Sequence, residues 1–426
     1  MTQRLEVDVA VVGASVGGCT AATLFARAGF SVALIEQSAD PHSFKRVCTH
    51  YIQPCARGVI SRLGIERTLR EAGAVPNRLD VWTHWGWVRG AAGLPSGFNV
   101  RRQTLDPILR QMARATPGVE LLAGHTLRAL QAVGDQRSEL LIESGSKEAA
   151  SVRARLVVAA DGRNSSVAEF ASVPHVDRPN NRFTYFTYYR NLPLSNGGTA
   201  QYWHMGENLA YAFVNEENTT LLGAFLPLNK LSGFKQDLEK SFDDFWRAVP
   251  SGPDIDRAER ICEHRGMLKL PNRSRPAAMR NIAFVGDAAL SLDPIWGTGC
   301  GWAFQSSEWL VDATSEALRS GSESALKRAL NRYRALHRSN TALHALHISD
   351  FSKVRPDRWL ERLLFAAAAR DASVARRLHT YLARLCGASS LLAPSSLARA
   401  AAVLLHAALS STSSVGAQLP AAPRQE

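Results

Sequence analysis

The chain has 426 residues, of which 46% are hydrophobic and 21% are charged, and these values predict a folded soluble protein of two or three domains. Its formal net charge of +12 comes from dispersed arginines without a lysine run, which disfavours a nucleic-acid partner. A mild basic cluster between Lys353 and Arg399 leaves a weak attraction to an acidic partner or a membrane surface open.

The six cysteines and the N-terminal sequence indicate the cellular compartment and whether a metal site is expected. No cysteine pair or Cys/His group has metal-ligand spacing, so we expect no metal site and reduced thiols. Neither an export signal nor an apolar segment long enough to cross a bilayer is evident. The sequence therefore predicts a cytoplasmic protein without a transmembrane segment.

The first 36 residues predict a dinucleotide-binding βαβ unit. Strands at 7–12 and 31–35 flank a helix at 16–28, and an acid, Glu36, follows the second strand. In such a unit the helix N-terminus faces a pyrophosphate, and the terminal acid accepts hydrogen bonds from ribose hydroxyls.

The glycines of this unit nearly follow the G-x-G-x-x-G pattern. Gly13 would allow the tight turn, and Gly18 would let the helix approach the strand closely. Ser15 stands at the second glycine position, where the backbone comes nearest to phosphate. This departure weakens the motif without abolishing it.

The remainder of the chain changes character twice. Helices and strands alternate up to a strand that ends in Asp161-Gly162, whereas residues 175–270 form short β-branched and aromatic runs typical of an antiparallel sheet. A strand then leads to Gly286-Asp287. From Ala303 we expect almost continuous helix as far as Leu409, followed by a disordered tail.

Three separated motifs occur in a recognisable order: the N-terminal unit, the acid and glycine at 161–162, and the run from Gly286-Asp287 through Asp293-Pro294 to Gly297-Thr298-Gly299-Cys300-Gly301. In this order they resemble the FAD-dependent oxidoreductases of the para-hydroxybenzoate hydroxylase type, over about residues 5–340. The resemblance implies an α/β fold with a Rossmann-like FAD-binding domain, an inserted, mainly antiparallel β-sheet substrate domain, and C-terminal helices. We assign 1–77, 101–174 and 271–345 to the first, 78–100 and 175–270 to the second, 346–410 to a helical region and 411–426 to the tail.

The same resemblance implies a set of FAD contacts. Asp287 would bind a ribityl hydroxyl, Arg102 would reach the phosphate and ribityl region, and backbone N–H groups from Gly299 to Gly301 would face the pyrimidine edge of the flavin. Gly301 stands where many members carry Asn. The full set of expected cofactor residues is Gly13, Ser15, Gly18, Glu36, Arg46, Arg102, Asp161, Asp287, Pro294, Gly299, Cys300 and Gly301.

Simpler structural interpretations stay open for three of these residues. Arg46 and Arg102 could each be an ordinary solvent-exposed side chain. Asp161 is also suited to cap the helix that follows Ser165. The capping and cofactor roles of Asp161 are compatible with each other.

Among the reactions of this family, the sequence favours oxygenation. No lysine occurs between Lys45 and Lys147 and the W-x-W-x-I-P signature is missing, which disfavours a halogenase. The strand 210–215 lacks the Trp and Pro of the Y-x-W-x-F-P pattern of geranylgeranyl reductases, so a reductase or desaturase of an isoprenoid-like substrate is the second hypothesis, and a non-catalytic flavoprotein is a third. No second Gly-rich βαβ unit is present, so NADPH or NADH is expected to bind transiently. The resemblance then implies hydroxylation or epoxidation by O2 through a flavin C4a-hydroperoxide.

The aromatic strands indicate a pocket for an aromatic or polycyclic small molecule, and we expect this molecule to belong to secondary metabolism. Its candidates include both strand parities, so only about half can face the flavin. No side chain is assigned a catalytic role, and either a monomer or a homodimer is compatible with the C-terminal helices. The aromatic pocket candidates are Trp82, His84, Trp85, Tyr185, Tyr202, Trp203, His204, Tyr211 and Phe213, and the expected substrate residues are His50, His84, Tyr185, Tyr202, His204, Tyr211 and Trp296.

Overall fold

A computed structural model describes residues 3–133, 137–146 and 148–415, with backbone alone for 3 and 410–415. Its strands, in chain order, are β1 (Gln3–Val12), β2 (Val32–Glu36), β3 (Tyr51–Ile52), β4 (Val75–Asn77), β5 (Leu79–Thr83), β6 (Gly86–Val88), β7 (Gly97–Asn99), β8 (Val119–Ala123), β9 (His125–Val133), β10 (Arg137–Ser144), β11 (Ala149–Ala159), β12 (Val176–Arg178), β13 (Arg182–Arg190), β14 (Ala200–Met205), β15 (Asn208–Asn215), β16 (Thr219–Pro227), β17 (Glu259–Arg260), β18 (Arg265–Met267), β19 (Asn272–Ser274), β20 (Ala278–Met279), β21 (Ile282–Phe284) and β22 (Leu290–Ser291).

The helices are concentrated near the N-terminus and in the last third of the chain. They are α1 (Val16–Arg27), α2 (Arg57–Leu63), α3 (Glu66–Glu71), α4 (Arg102–Ala115), α5 (Ser166–Phe170), α6 (Leu231–Gln236), α7 (Leu238–Arg247), α8 (Thr298–Arg319), α9 (Glu323–Phe351), α10 (Trp359–Ala368), α11 (Ala372–Leu382), α12 (Ala388–Leu391) and α13 (Pro394–Val415).

The first sheet is the nucleotide-binding layer. Its main path runs β20-β21-β11-β1-β2-β8, and β1, β2, β8, β11 and β21 are mutually parallel. Strand β20 is antiparallel to β21, β10 is antiparallel to β11, and β9 is antiparallel to β10. The central strands are buried on both faces because helices cover them, which explains their continuous Val, Ile, Leu and Ala runs. Segments from residue 7 to residue 333 share this one core.

The second sheet forms the roof over the site. Its main path is β17-β13-β16-β15-β14-β5-β6, with β18 also on β13, and its pairs are antiparallel except for β14 with β5. It joins a hairpin from 79–88 to strands from 182–267, so two distant parts of the chain make one layer. The predicted α/β class with a Rossmann-like domain and a largely antiparallel sheet is confirmed.

The C-terminal helices pack against the roof, and the segment after α11 also contacts the start of α8. Leu364, Leu378 and Leu382 share a buried cluster with Val81 of β5 and Val88 of β6. Searched over its described residues, the chain has no helix of the length and apolar character that crossing a bilayer requires.

Two helix boundaries differ from the expected ones. The helix expected from Ala303 begins at Thr298, so the glycine-rich motif forms its first turn. The final helix continues to Val415, so residues 411–415 of the expected disordered tail are helical, and 416–426 lie outside the described residues.

Candidate active site

One cleft of about 830 Å³ lies between the nucleotide-binding layer and the roof. Its roof is made by β13, β15 and β16. Five segments form its floor: the turn after β1, the loop after β2, the start of α4, the turn after β11 and the segment 285–303. The volume falls within the range of small-molecule and cofactor sites. All three sequence motifs therefore reach one cavity.

The turn after β1 requires glycine at two positions. Gly13 has φ 99°, and a Cβ there would lie 2.6 Å from the carbonyl oxygen of Ala160. A Cβ on Gly18 would lie 1.7 Å from the carbonyl oxygen of Gly13, so α1 touches the turn directly. The first turn of α1 carries no side-chain cap, and its free N–H groups can bind an anion.

Ser15, which replaces the usual second glycine, lines the cleft at the start of α1. Its hydroxyl lies 2.5 Å from Nη2 of Arg102, which donates to it. The residue that departs from the motif is thereby tied to the arginine expected at the cofactor. Ser15 and Arg102 form one polar wall.

Glu36 lies at the edge of the same cavity. One carboxylate oxygen accepts the N–H of Ala14 at 2.8 Å, and the other accepts the N–H of Ser38 at 2.9 Å. Glu36 therefore fixes the turn after β1 against the end of β2. Each oxygen retains a lone pair for a further hydroxyl donor.

Arg102 is a buried cation with a buried partner. It forms a bidentate pair with Asp106 on the next turn of α4, at 2.8 and 2.9 Å. Burial lowers the pKa of Arg102, but the Asp106 carboxylate together with the neighbouring Cys300 and Cys48 outweighs burial, and the pKa is raised. This arginine faces the cleft with its charge retained and is not a surface side chain.

Lys45 occupies the place that the sequence assigned to Arg46. Nζ of Lys45 lies 2.7 Å from Asp287, and this carboxylate raises the pKa of Lys45. Arg46 is exposed and does not line the cleft, whereas Lys45 and Asp287 do. The loop after β2 therefore presents a lysine to Asp287.

Asp161 performs the capping role and keeps an acceptor. Its Oδ2 accepts the N–H of Val167 in α5 at 3.1 Å, while Oδ1 is buried and has no hydrogen-bond partner among the described residues. Burial raises the pKa of Asp161. An unpaired acceptor at the cleft wall fits a ligand that donates a hydroxyl or amide proton.

The start of α8 forms the opposite end of the floor. Its N-cap, Gly297, has φ 60° and provides no side-chain cap, so N–H groups of the first turn are available to a ligand. Pro294, Gly299 and Cys300 line the cleft, but Gly301 lies behind it. The helix dipole favours negative charge here.

The roof presents an apolar surface. Thr184 and Phe186 of β13, Tyr211 of β15 and Phe225 of β16 line the cavity, with further side chains from the segments that border the sheet. Those additional lining residues are Met267, Leu270, Leu290 and Leu292. Such a surface suits a flat apolar substrate.

Of the seven expected substrate residues, Tyr211 lines the cleft and six do not. Tyr185 points to the opposite face of β13, where its ring stacks on Phe234. His84 is exposed on the turn between β5 and β6. The other four, which lie behind the wall or under the C-terminal helices, are His50, Tyr202, His204 and Trp296.

Two of the expected histidines are held by partners inside the protein. Nδ1 of His50 accepts the backbone N–H of Arg102 at 3.0 Å, and its Nε2 bonds to the hydroxyl of Tyr188. Nε2 of His204 lies 2.8 Å from Asp357. These contacts explain their burial without a substrate.

The cleft and its glycine turns define the class: a Rossmann-like nucleotide fold under a β-sheet roof, as in flavin-dependent oxidoreductases. The FAD binding domain family matches residues 6–233, and the chain belongs to this family. It is an FAD-dependent oxidoreductase, as the resemblance implied.

Known relatives show the same class. The chain is 26% identical over 369 residues to the ubiquinone hydroxylase UbiL of Rhodospirillum rubrum, with 79% of each chain covered. It is 26% identical over 327 residues to the 6-methylpretetramide 4-monooxygenase of Streptomyces rimosus, which covers 74% of this chain and 76% of that protein. The flavin-dependent brominase Bmp2 has a similar structure, with a TM-score of 0.77 at 17% identity over 95% of this chain and all of the brominase; this likeness concerns the fold alone.

Proposed function

We propose that this protein is a monooxygenase that uses NADPH or NADH and O2 to hydroxylate or epoxidise an aromatic or polycyclic small molecule. The observation that carries the proposal is one continuous cleft, which joins the turn after β1, Asp287 and the first turn of α8 to an apolar roof. A cofactor and an apolar substrate would therefore meet in one water-poor space.

Bound FAD supplies the redox chemistry, and this chain supplies the contacts that hold it. We place the pyrophosphate at α1 with Ser15 and Arg102, the ribose at Glu36 and the ribityl chain at Asp287, where Lys45 must share its carboxylate. The unpaired Oδ1 of Asp161 adds one acceptor. The first turn of α8 would stabilise negative charge that develops on the reduced cofactor.

The substrate would lie against the roof. Phe186, Tyr211 and Phe225 offer aromatic faces, and Thr184 offers one hydroxyl for orientation. Two relatives are named as a ubiquinone hydroxylase and a 6-methylpretetramide 4-monooxygenase, and these names support a ring-containing substrate. Buried apolar walls exclude water from the reacting centre.

Oxygen consumption tests the reaction. The FAD-loaded protein, mixed with NADPH or NADH and a library of aromatic compounds, should oxidise the nicotinamide faster with a substrate present and consume one O2 for each oxygenated product. Product formed under argon would favour the reductase hypothesis, and a brominated product in bromide would favour a halogenase. A protein that binds FAD without turnover on any library member would contradict the proposal.

Matched variants test the substrate face. Phe186→Leu, in the roof, should change the KM of the substrate without changing FAD content, because it alters the apolar wall. Tyr185→Phe, the adjacent residue on the opposite face, should leave KM unchanged. Equal effects of the two variants would contradict this placement.

A further inference from the structure

The first turn of α8 contains a space that another part of the chain fills. Gly301 has no side chain, and a Cβ built there would lie 2.2 Å from Nη2 of Arg384 and 3.3 Å from Sγ of Cys55. Arg384 follows α11, in the C-terminal helical region, 83 positions further along the chain (384 − 301). Its guanidinium therefore occupies the volume that a side chain at position 301 would take.

Neutral groups surround this guanidinium. Nε of Arg384 donates to Oε1 of Gln53, Nη2 lies 2.9 Å from Sγ of Cys55, and Cζ lies 4.8 Å from the centre of the Trp302 ring. No carboxylate among the described residues forms an ion pair with it. Burial lowers the pKa of Arg384.

A guanidinium held largely out of water without a counter-ion is costly, so an anion bound beside it would be stabilised. The residues on both sides of Gly301, Cys300 and Trp302, line the cleft. The positive end of the α8 dipole lies at the same point. The two positive features therefore act on one region of the cavity.

We propose that Arg384 is an electrostatic positioning residue for the cofactor, supplying from the C-terminal helices a positive charge beside the pyrimidine end of the flavin in place of a side chain at position 301. This inference rests on the cofactor placement proposed above. The charge would favour the anionic reduced flavin over the neutral oxidised one. The C-terminal region would thus contribute to the redox properties of the site.

The claim that Arg384 occupies the space of a side chain at position 301 is tested by measuring the stability of variants. Gly301→Asn alone should destabilise the protein, because its side chain meets Arg384. Combined with Arg384→Ala, it should regain most of the lost stability in urea unfolding. Additive losses in the double variant would overturn the shared-space interpretation.

The electrostatic part is tested by the potential of bound FAD. Arg384→Gln should make reduction about tenfold less favourable, a fall of about 30 mV for a two-electron couple. Arg384→Lys, which keeps the charge but loses the Nε–H donor to Gln53, should stay nearer the wild-type potential. Arg362→Gln, an exposed arginine of the same helical region, is the control and should change nothing.

Three results separate the possibilities. A protein that takes up no FAD overturns the proposed function together with this inference. FAD bound at an unchanged potential in Arg384→Gln, or an equal fall in the Gln and Lys variants, overturns the inference alone. If Arg384→Gln fails to fold, the potential of Arg384→Lys and that of the Gly301→Asn/Arg384→Ala pair decide the matter, because the double variant lacks the charge and should show the fall.

Discussion

Gly18 is the residue whose side-chain size the fold constrains most tightly. Gly18→Ala places a Cβ against the Gly13 carbonyl and should lower the free energy of unfolding by about 1–3 kcal/mol and reduce FAD uptake. Gly58→Ala, in α2 with open space around its Cβ, should be neutral or stabilising. Urea unfolding and flavin absorbance measure both effects, and equal stability of the two variants would refute this packing argument.

Asp106 is the residue on which the charge of Arg102 depends. The side chains of Arg102 and Asp106 are 4% and 1% exposed, so Asp106→Asn leaves a buried cation without its counter-charge and should cost about 3 kcal/mol. Glu71→Gln removes a partner from the exposed pair with Arg67 and should cost less than about 0.5 kcal/mol. Chemical denaturation compares them; a small loss in Asp106→Asn would contradict the buried-pair interpretation.

For single residues, the sequence predicted those that the backbone geometry fixes better than those whose contacts depend on loop conformation or tertiary folding. Gly13, Gly18 and Asp287 could be found because each has a fixed position relative to a strand end. Lys45 could not be distinguished from Arg46, since a loop has no periodicity that tells which neighbour turns inward. Arg384 carried no signal, because its contact with Gly301 arises only from tertiary folding.

Helix α9 makes stability depend on pH through His337. Burial lowers the pKa of His337 to about 4, from 6.5, and its ring lies near those of Trp309 and Tyr333. The unfolded chain binds the proton first as pH falls, so the stability contribution is full above pH 6.5 and is lost progressively down to about pH 4.

His337→Gln should therefore flatten this dependence. The loss of unfolding free energy between pH 7 and pH 4.5 should shrink by about 2 kcal/mol relative to the unaltered protein. His175→Gln, an exposed position, should keep the original slope. Denaturant titrations at the two pH values measure it, and identical slopes for all three proteins would contradict the assignment.

Whether a segment forms a helix or a strand was predictable where a single period of hydrophobic residues dominated the segment. The βαβ unit and the long C-terminal helices follow from glycine punctuation and helical spacing. Strand β13 shows the limit: eight of its nine residues are buried, so both of its faces look alike in sequence. Alternation along the strand places Tyr185 and Phe186 on opposite faces, but the sequence could not tell which of the two faces the cleft.

The whole molecule should lose its roof and its C-terminal helices together, because they share a core. Leu378→Ala removes a side chain buried with Val81 and Val88 and should cost about 2–5 kcal/mol. Leu346→Ala, on an exposed face of α9, should cost less than about 0.5 kcal/mol. Tryptophan fluorescence and FAD release should shift together in Leu378→Ala; separate transitions would show that the C-terminal helices unfold alone.

The position of β21 in the first sheet has a consequence for biosynthesis. This strand, residues 282–284, pairs with β11, and the next long helix, α8, packs on α1 and ends at Arg319. A ribosome must therefore release about three quarters of the polypeptide before the earliest strands obtain their full cover. Until then their apolar surfaces are open to self-association, and nascent chains should depend on chaperones more than a contiguous nucleotide fold would.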